Sequence, residues 1–152
     1  MKTTFLFTLL SLSINSFAGA SAAVFNCVSD SGRTKLSASV PGDFEEHEVD
    51  LMIDGKAVKY YSLVNQTTYQ MEENSSVYVL GSLNEKNYHF LVTSKKGEKL
   101  FTFSAIPSTI KVKSSEYGES GSLKAKLTGV DPRTDNKLMP EITVSCTYQY
   151  EI

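Results

Sequence analysis

Ile142-Thr143-Val144-Ser145-Cys146-Thr147-Tyr148-Gln149-Tyr150-Glu151-Ile152 ends the chain in strict two-residue alternation. Every even position is apolar, aromatic or cysteine, and every odd position between them is polar. Successive side chains of a strand point to opposite faces. The stretch therefore reads as a half-buried β-strand with Cys146, Tyr148 and Tyr150 on its inner face. The only other cysteine, Cys27, lies near the other end of the chain, where Phe25, Cys27 and Ser29 share one face of a first strand.

The first residues supply the setting for that pair. Met1 to Ala20 has the layout of an export signal: one cation, Lys2, then the apolar run Phe5 to Ile14, then the small residues Ala18-Gly19-Ala20. Cleavage after Ala20 or Ala22 leaves a domain of residues 21–152, long enough for one real core. The apolar run is too short to span a bilayer, and no later run is long enough. Val24-Phe25-Asn26 also differs from the approach to a lipid-modified cysteine. Two cysteines in an exported chain are expected to pair. A Cys27–Cys146 disulfide holds its Cα atoms roughly 4.4–6.8 Å apart, so the first and last strands must meet.

Alternation continues between them. Leu36, Ala38 and Val40 alternate with Lys35, Ser37 and Ser39, and Val49, Leu51 and Ile53 with Glu48, Asp50 and Met52. Asp54-Gly55 follows as a type I′ hairpin signal, with Val58, Tyr60 and Ser62 running back. Val77 to Leu80 is a short apolar strand before a turn near Asn84 to Lys86. Tyr88 to Thr93 and Leu100 to Ala105 form a second hairpin across Lys95-Lys96-Gly97-Glu98. Pro107 interrupts the ladder. Strands at Ile110 to Lys113 and Leu123 to Leu127 follow, with a Gly- and Ser-rich loop expected between them. The fold class is all-β: a single antiparallel β-barrel or β-sandwich of about 8–10 short strands.

Charge is balanced overall but unevenly placed. Without Lys2 the mature chain carries 14 Lys+Arg against 17 Asp+Glu, a net charge of −3, which gives no reason to expect nucleic-acid binding. Asp43, Glu45, Glu46, Glu48, Asp50 and Asp54 form an acidic run without Lys or Arg. From Lys95 to Lys126 seven lysines face Glu98, Glu116 and Glu119, a local net of +4. Lys111 and Lys113 share one strand face, and Lys124 and Lys126 share one face of the next. If the two strands pair, the four ammonium groups form an outer patch, extended by Lys95 and Lys96 at a hairpin tip. Such a patch suits acidic glycans, phosphorylated lipids or an acidic protein. Lysines also guard exposed strand edges against aggregation.

Catalytic signals are thin. His47 sits in Glu45-Glu46-His47-Glu48, but one histidine among solvated acids falls short of a convergent three- or four-ligand zinc set. His89 lies within a strand pattern, and neither a Gly-x-Ser-x-Gly elbow nor a His-Glu-x-x-His pair occurs. The acids bunch in one segment rather than opposing each other as glycoside hydrolysis requires. The expectation is therefore no enzyme, no cofactor and no metal. Tyr60, Tyr61, Tyr69 and Tyr78 suit either sheet packing or a recognition surface. Asn65-Gln66-Thr67 and Asn74-Ser75-Ser76 are sequons that matter only in a glycosylating host.

Phe25-Asn26-Cys27 with Cys146 near the C-terminus resembles the frame of the periplasmic C-type lysozyme inhibitors of bacteria. Those are small secreted β-barrels with an N-terminal Tyr/Phe-x-Cys element, and the resemblance implies an inhibitor of that kind. Their mid-chain Ser-Gly-x-x-Tyr loop is replaced here by Asn65-Gln66-Thr67-Thr68-Tyr69, so no inhibitory residue carries over. The leading expectation is an exported, non-catalytic binding module, periplasmic or extracellular, recognising a protein or an anionic envelope ligand. The alternatives are a lysozyme-inhibitor-like protein, a structural or surface-assembly protein of the envelope, and a small outer-membrane β-barrel.

Overall fold

The computed structural model describes residues 22–40, 47–62, 77–84, 87–134 and 137–151. The export signal at Met1–Ala20, the acids Asp43, Glu45 and Glu46, the sequons at Asn65 and Asn74, Tyr69, and the turn residues Glu85 and Lys86 lie outside them. So do the side chains of Tyr78 and Tyr150.

Among the described residues ten strands form one sheet: β1 (Ala23–Ser29), β2 (Thr34–Val40), β3 (His47–Ile53), β4 (Lys56–Ser62), β5 (Val77–Asn84), β6 (Asn87–Ser94), β7 (Lys99–Ala105), β8 (Lys111–Ser115), β9 (Gly118–Gly129) and β10 (Ile142–Glu151). Hydrogen-bonded neighbours run β4-β3-β2-β1-β10-β9-β7-β6-β5, with β8 also on β9. Every ladder is antiparallel. The two ends of this path, β4 and β5, approach within 8 Å in Cα position, so the sheet curls into a nearly closed barrel. Counting directions round the path makes β4 and β5 run the same way.

The seam between the two halves of the sheet is the β1–β10 ladder. Cys27 stands opposite Cys146 in that register, and a disulfide joins them. The expectation from the sequence therefore holds, and the barrel resolves the choice between barrel and sandwich. A structural disulfide points to folding in an oxidising compartment. Among the described residues, no helix is long and apolar enough to cross a membrane.

The barrel wall follows the period-two pattern. Phe25, Cys27, Leu36, Ala38, Val40, Val49, Leu51, Ile53, Val144, Cys146 and Tyr148 are all buried, as their parity requires. Asp54 and Gly55 both take positive φ (48° and 82°), the signature of the expected type I′ turn. Aromatic rings fill the interior: Phe90 stacks on Phe103 with centroids 4.6 Å apart, and Phe25 leans on Phe103 at 5.3 Å. Each fully buried ring stabilises by about 1.5–3 kcal/mol.

The Gly- and Ser-rich stretch expected as a loop before Leu123 is strand: Gly118 to Ser122 begin β9, and only Glu116 and Tyr117 turn. These weak strand formers are held because they pair on both sides, with β8 and with β10. Tyr148 stands opposite Gly121 in the register, and a Cβ on Gly121 would come within 2.7 Å of the Tyr148 ring. The tyrosine fills the space that a β9 side chain would otherwise occupy.

Candidate functional site

Inward residues of β9 are Glu119, Leu123, Ala125 and Leu127, so Ser120, Ser122, Lys124 and Lys126 face outward. The β8–β9 register sets Lys111 opposite Ser122 and Lys113 opposite Ser120. The four lysines therefore share one outer face, as their parity suggests. They do not stand side by side, however. The two-residue turn at Glu116 and Tyr117 fixes a register in which they form a file: Lys126, Lys124, Lys111, Lys113. Successive members are two strand residues apart, about 7 Å along the axis. Exposed Thr143, Ser145, Thr147 and Gln149 of β10 flank the file on one side.

The file is interrupted by a groove with a structural cause. β7 and β8 lie end to end along the same edge of β9, and the ladder breaks between Ala105 and Lys111. A short 3-10 turn, Pro107–Thr109, fills the gap. There the Thr109 hydroxyl replaces the missing strand, accepting the Lys124 N–H at 2.8 Å and donating to the Ile106 carbonyl at 2.7 Å. The Ile106 N–H donates to the Lys124 carbonyl at 2.8 Å. The resulting depression is lined by Ser108, Thr109, Lys111, Ser122, Lys124 and Ser145, with Leu123 and Cys146 also contributing to its wall. Two ammonium groups thus border a hydroxyl-rich hollow.

Among the described residues, one carboxylate pairs with the file. Lys126 pairs with Glu141 at 2.8 Å. Among the described residues no ion pair involves Lys111, Lys113 or Lys124. Glu119, counted against the lysines in the sequence, faces inward and is buried. The described acids of the acidic run occupy another sector. Glu48 and Asp50 of β3 both meet Lys59 of β4, at 2.8 and 3.7 Å. The hydrogen bond from Lys59 holds Glu48 below the usual carboxylate range, while burial and the neighbouring Glu48 push Asp50 up.

Lys95 and Lys96 do not join the file. They sit on the β6–β7 hairpin, next to the end of the barrel where Phe101 pairs with Gly129. Lys126, the member of the file nearest to them, is level with Ser104, five β7 residues and about 17 Å along the strand from Lys99, beyond which the hairpin tip lies. His89 hydrogen-bonds Ser104 through Nδ1 at 2.9 Å, and His47 is buried at the start of β3.

A second cluster escaped the sequence reading. Glu119 Oε1 accepts hydrogen bonds from Tyr88 (2.5 Å) and Tyr148 (2.8 Å), and the two hydroxyls are 3.0 Å apart. Burial, reinforced by the bond to Glu119, pushes the Tyr88 phenol far above its ordinary value. The available signal was phase: Glu119 is in step with Leu123, Ala125 and Leu127, so its carboxylate had to be inward. At the opposite rim, Asp54 pairs with both Arg33 (2.6 Å) and Arg133, tying three connections together. Arg133 also clamps Asp131 at 2.7 Å, and its side-chain and backbone hydrogen bonds hold that carboxyl down at about 2.

No protein-family model, curated protein or solved structure matches the chain. The resemblance to the lysozyme inhibitors accordingly rests on Phe25-Asn26-Cys27, Cys146 and a β-barrel alone.

Proposed function

We propose that this chain is an exported, non-catalytic binding module of the bacterial envelope or its surroundings, and that it recognises an anionic envelope ligand through the outer face of β8, β9 and β10. The observation that carries this reading is the file Lys124, Lys111, Lys113, exposed and, among the described residues, without carboxylate partners, beside a row of hydroxyls. Hydroxyl O–H and amide N–H groups donate to phosphate, sulfate or carboxylate oxygens, and ammonium groups supply long-range attraction. Packed aromatic rings occupy the interior, which leaves faces and rims for recognition.

The polarity of the wall favours this reading over the membrane-barrel alternative. Lys35, Ser37, Asn26, Ser145, Thr147, Lys124 and Lys113 point outward, whereas a membrane barrel presents an apolar band to lipid.

Co-sedimentation of the oxidised mature domain with anionic and neutral vesicles, and retention on a sulfated-glycan column, test the proposal. The expected result is retention that falls steeply with salt and drops about tenfold or more in Lys111→Glu/Lys124→Glu. Equal behaviour of variant and wild type would overturn it.

A further inference from the structure

Among the described residues, one edge of β8 is unpaired. Lys111–Ser115 pair with Ser122–Gly118 of β9 and with no other described strand. The described β6–β7 pairs end at His89 opposite Ser104, so no described residue of β6 pairs with β8. All five β8 residues are exposed.

The phase of this edge follows from the hairpin. Its loop is two residues, and the flanking pair is Ser115 with Gly118. The carbonyl of Lys111 points at β9, lying 2.1 Å from where a Cβ on Gly121 would stand. Antiparallel ladders alternate the direction of their amide groups. Lys111, Lys113 and Ser115 therefore direct theirs to β9, whereas Val112 and Ser114 direct their N–H and C=O groups to the open side. Val112 itself is 38 % exposed, and Tyr117 at the turn is 74 % exposed.

From this we infer that the free edge of β8 is a strand-addition site for an extended segment of a partner protein bearing acidic residues at alternate positions. Main-chain hydrogen bonds to Val112 and Ser114 supply the attachment, as in other strand-addition complexes. The alternation supplies the selectivity. An incoming strand places every second side chain on the outer face beside Lys111 and Lys113, where carboxylates fit and ammonium groups do not. The intervening side chains fall on the face of Val112, where apolar groups fit. A second copy of this chain is a poorer occupant, because two β8 edges would set Lys111 and Lys113 against their own counterparts.

The test uses the oxidised mature protein and a labelled hexapeptide, Val-Glu-Val-Glu-Val-Glu, followed by fluorescence anisotropy. Three comparisons accompany it: the same peptide N-methylated at alternate amides in either phase, the lysine-for-glutamate peptide, and Val112→Pro. Proline is tolerated where a strand N–H faces an open edge, so Val112→Pro should keep its melting temperature and its retention on anionic vesicles. Saturable binding of the acidic peptide is expected. It should weaken about tenfold or more in Val112→Pro, and with one of the two N-methylation phases. Unchanged affinity in both comparisons would overturn the inference and leave charge attraction alone. Absence of binding by the wild type, or a dimer dispersed by Val112→Pro in sedimentation, would overturn it too. The N-methylated peptides decide the matter on wild-type protein should the proline variant misfold.

Discussion

Cys27 and Cys146 face each other across β1–β10, the ladder that, among the described residues, joins the β1–β4 half of the sheet to the β5–β10 half. The bridge is therefore a staple on the seam of the barrel. It closes a loop of 119 positions, for which chain entropy alone gives up to about 4–5 kcal/mol. Cys27→Ala/Cys146→Ala should fold with the same strands, because the ladder persists, but melt roughly 10 °C lower. Differential scanning calorimetry decides it, and an unaltered melt would remove the staple from the account.

Gly121 is required by contact rather than by backbone freedom. A Cβ there would lie 2.1 Å from the Lys111 carbonyl oxygen and 2.7 Å from the Tyr148 ring. Gly121→Ala should cost about 1–3 kcal/mol and disturb the near-ultraviolet circular dichroism of the tyrosines. A neutral effect on both would mean that β8 can move away from β9 without penalty.

Tyr88 offers a prediction in alkali. Its phenol is pushed up by burial first and by the Glu119 hydrogen bond second. In the unfolded chain a tyrosine ionises near pH 10. The folded state therefore holds a proton that the unfolded state releases, and stability is lost as pH rises above about 10. Tyr60 contributes in the same direction through burial. Tyr88→Phe should flatten this alkaline decline, measured by denaturant melts from pH 8 to 11. A decline identical to wild type would show that Tyr88 does not drive it.

Asp131 carries the opposite sign. Hydrogen bonds from Arg133 hold its carboxyl at about 2, below the unfolded aspartate value near 3.9. Its contribution is complete above about pH 4 and is lost as pH falls towards 2. Asp131→Asn should make the acid limb of the stability curve shallower. Arg133 also pairs with Asp54, so Arg133→Gln should loosen the β3–β4 turn as well, read as faster amide exchange at Gly55.

Parity carried most of the fold in the sequence. Val144, Cys146 and Tyr148 alternate with threonine, serine and glutamine, and that pattern requires no knowledge of partners. Gly118 to Ser122 were illegible as strand because their stability comes from Tyr148 and from two ladders, none of it local. The outward direction of Lys111, Lys113, Lys124 and Lys126 was legible for the same reason as the core. Their end-to-end order was not, since it depends on the length of the Glu116–Tyr117 turn and on the break at Pro107. How far Lys95 and Lys96, at a hairpin tip, stand from that file depends on topology, which parity does not supply.

Recognition is proposed to belong to the outer face of β8, β9 and β10. Amide chemical-shift mapping of the labelled mature domain, titrated with a soluble sulfated glycan, tests it most directly. The expected perturbations concentrate on Lys111, Lys113, Ser122, Lys124 and Ser145, and disappear with added salt. Perturbations centred instead on the rim of Arg33, Asp54 and Arg133, or shifts absent at every concentration, would contradict it.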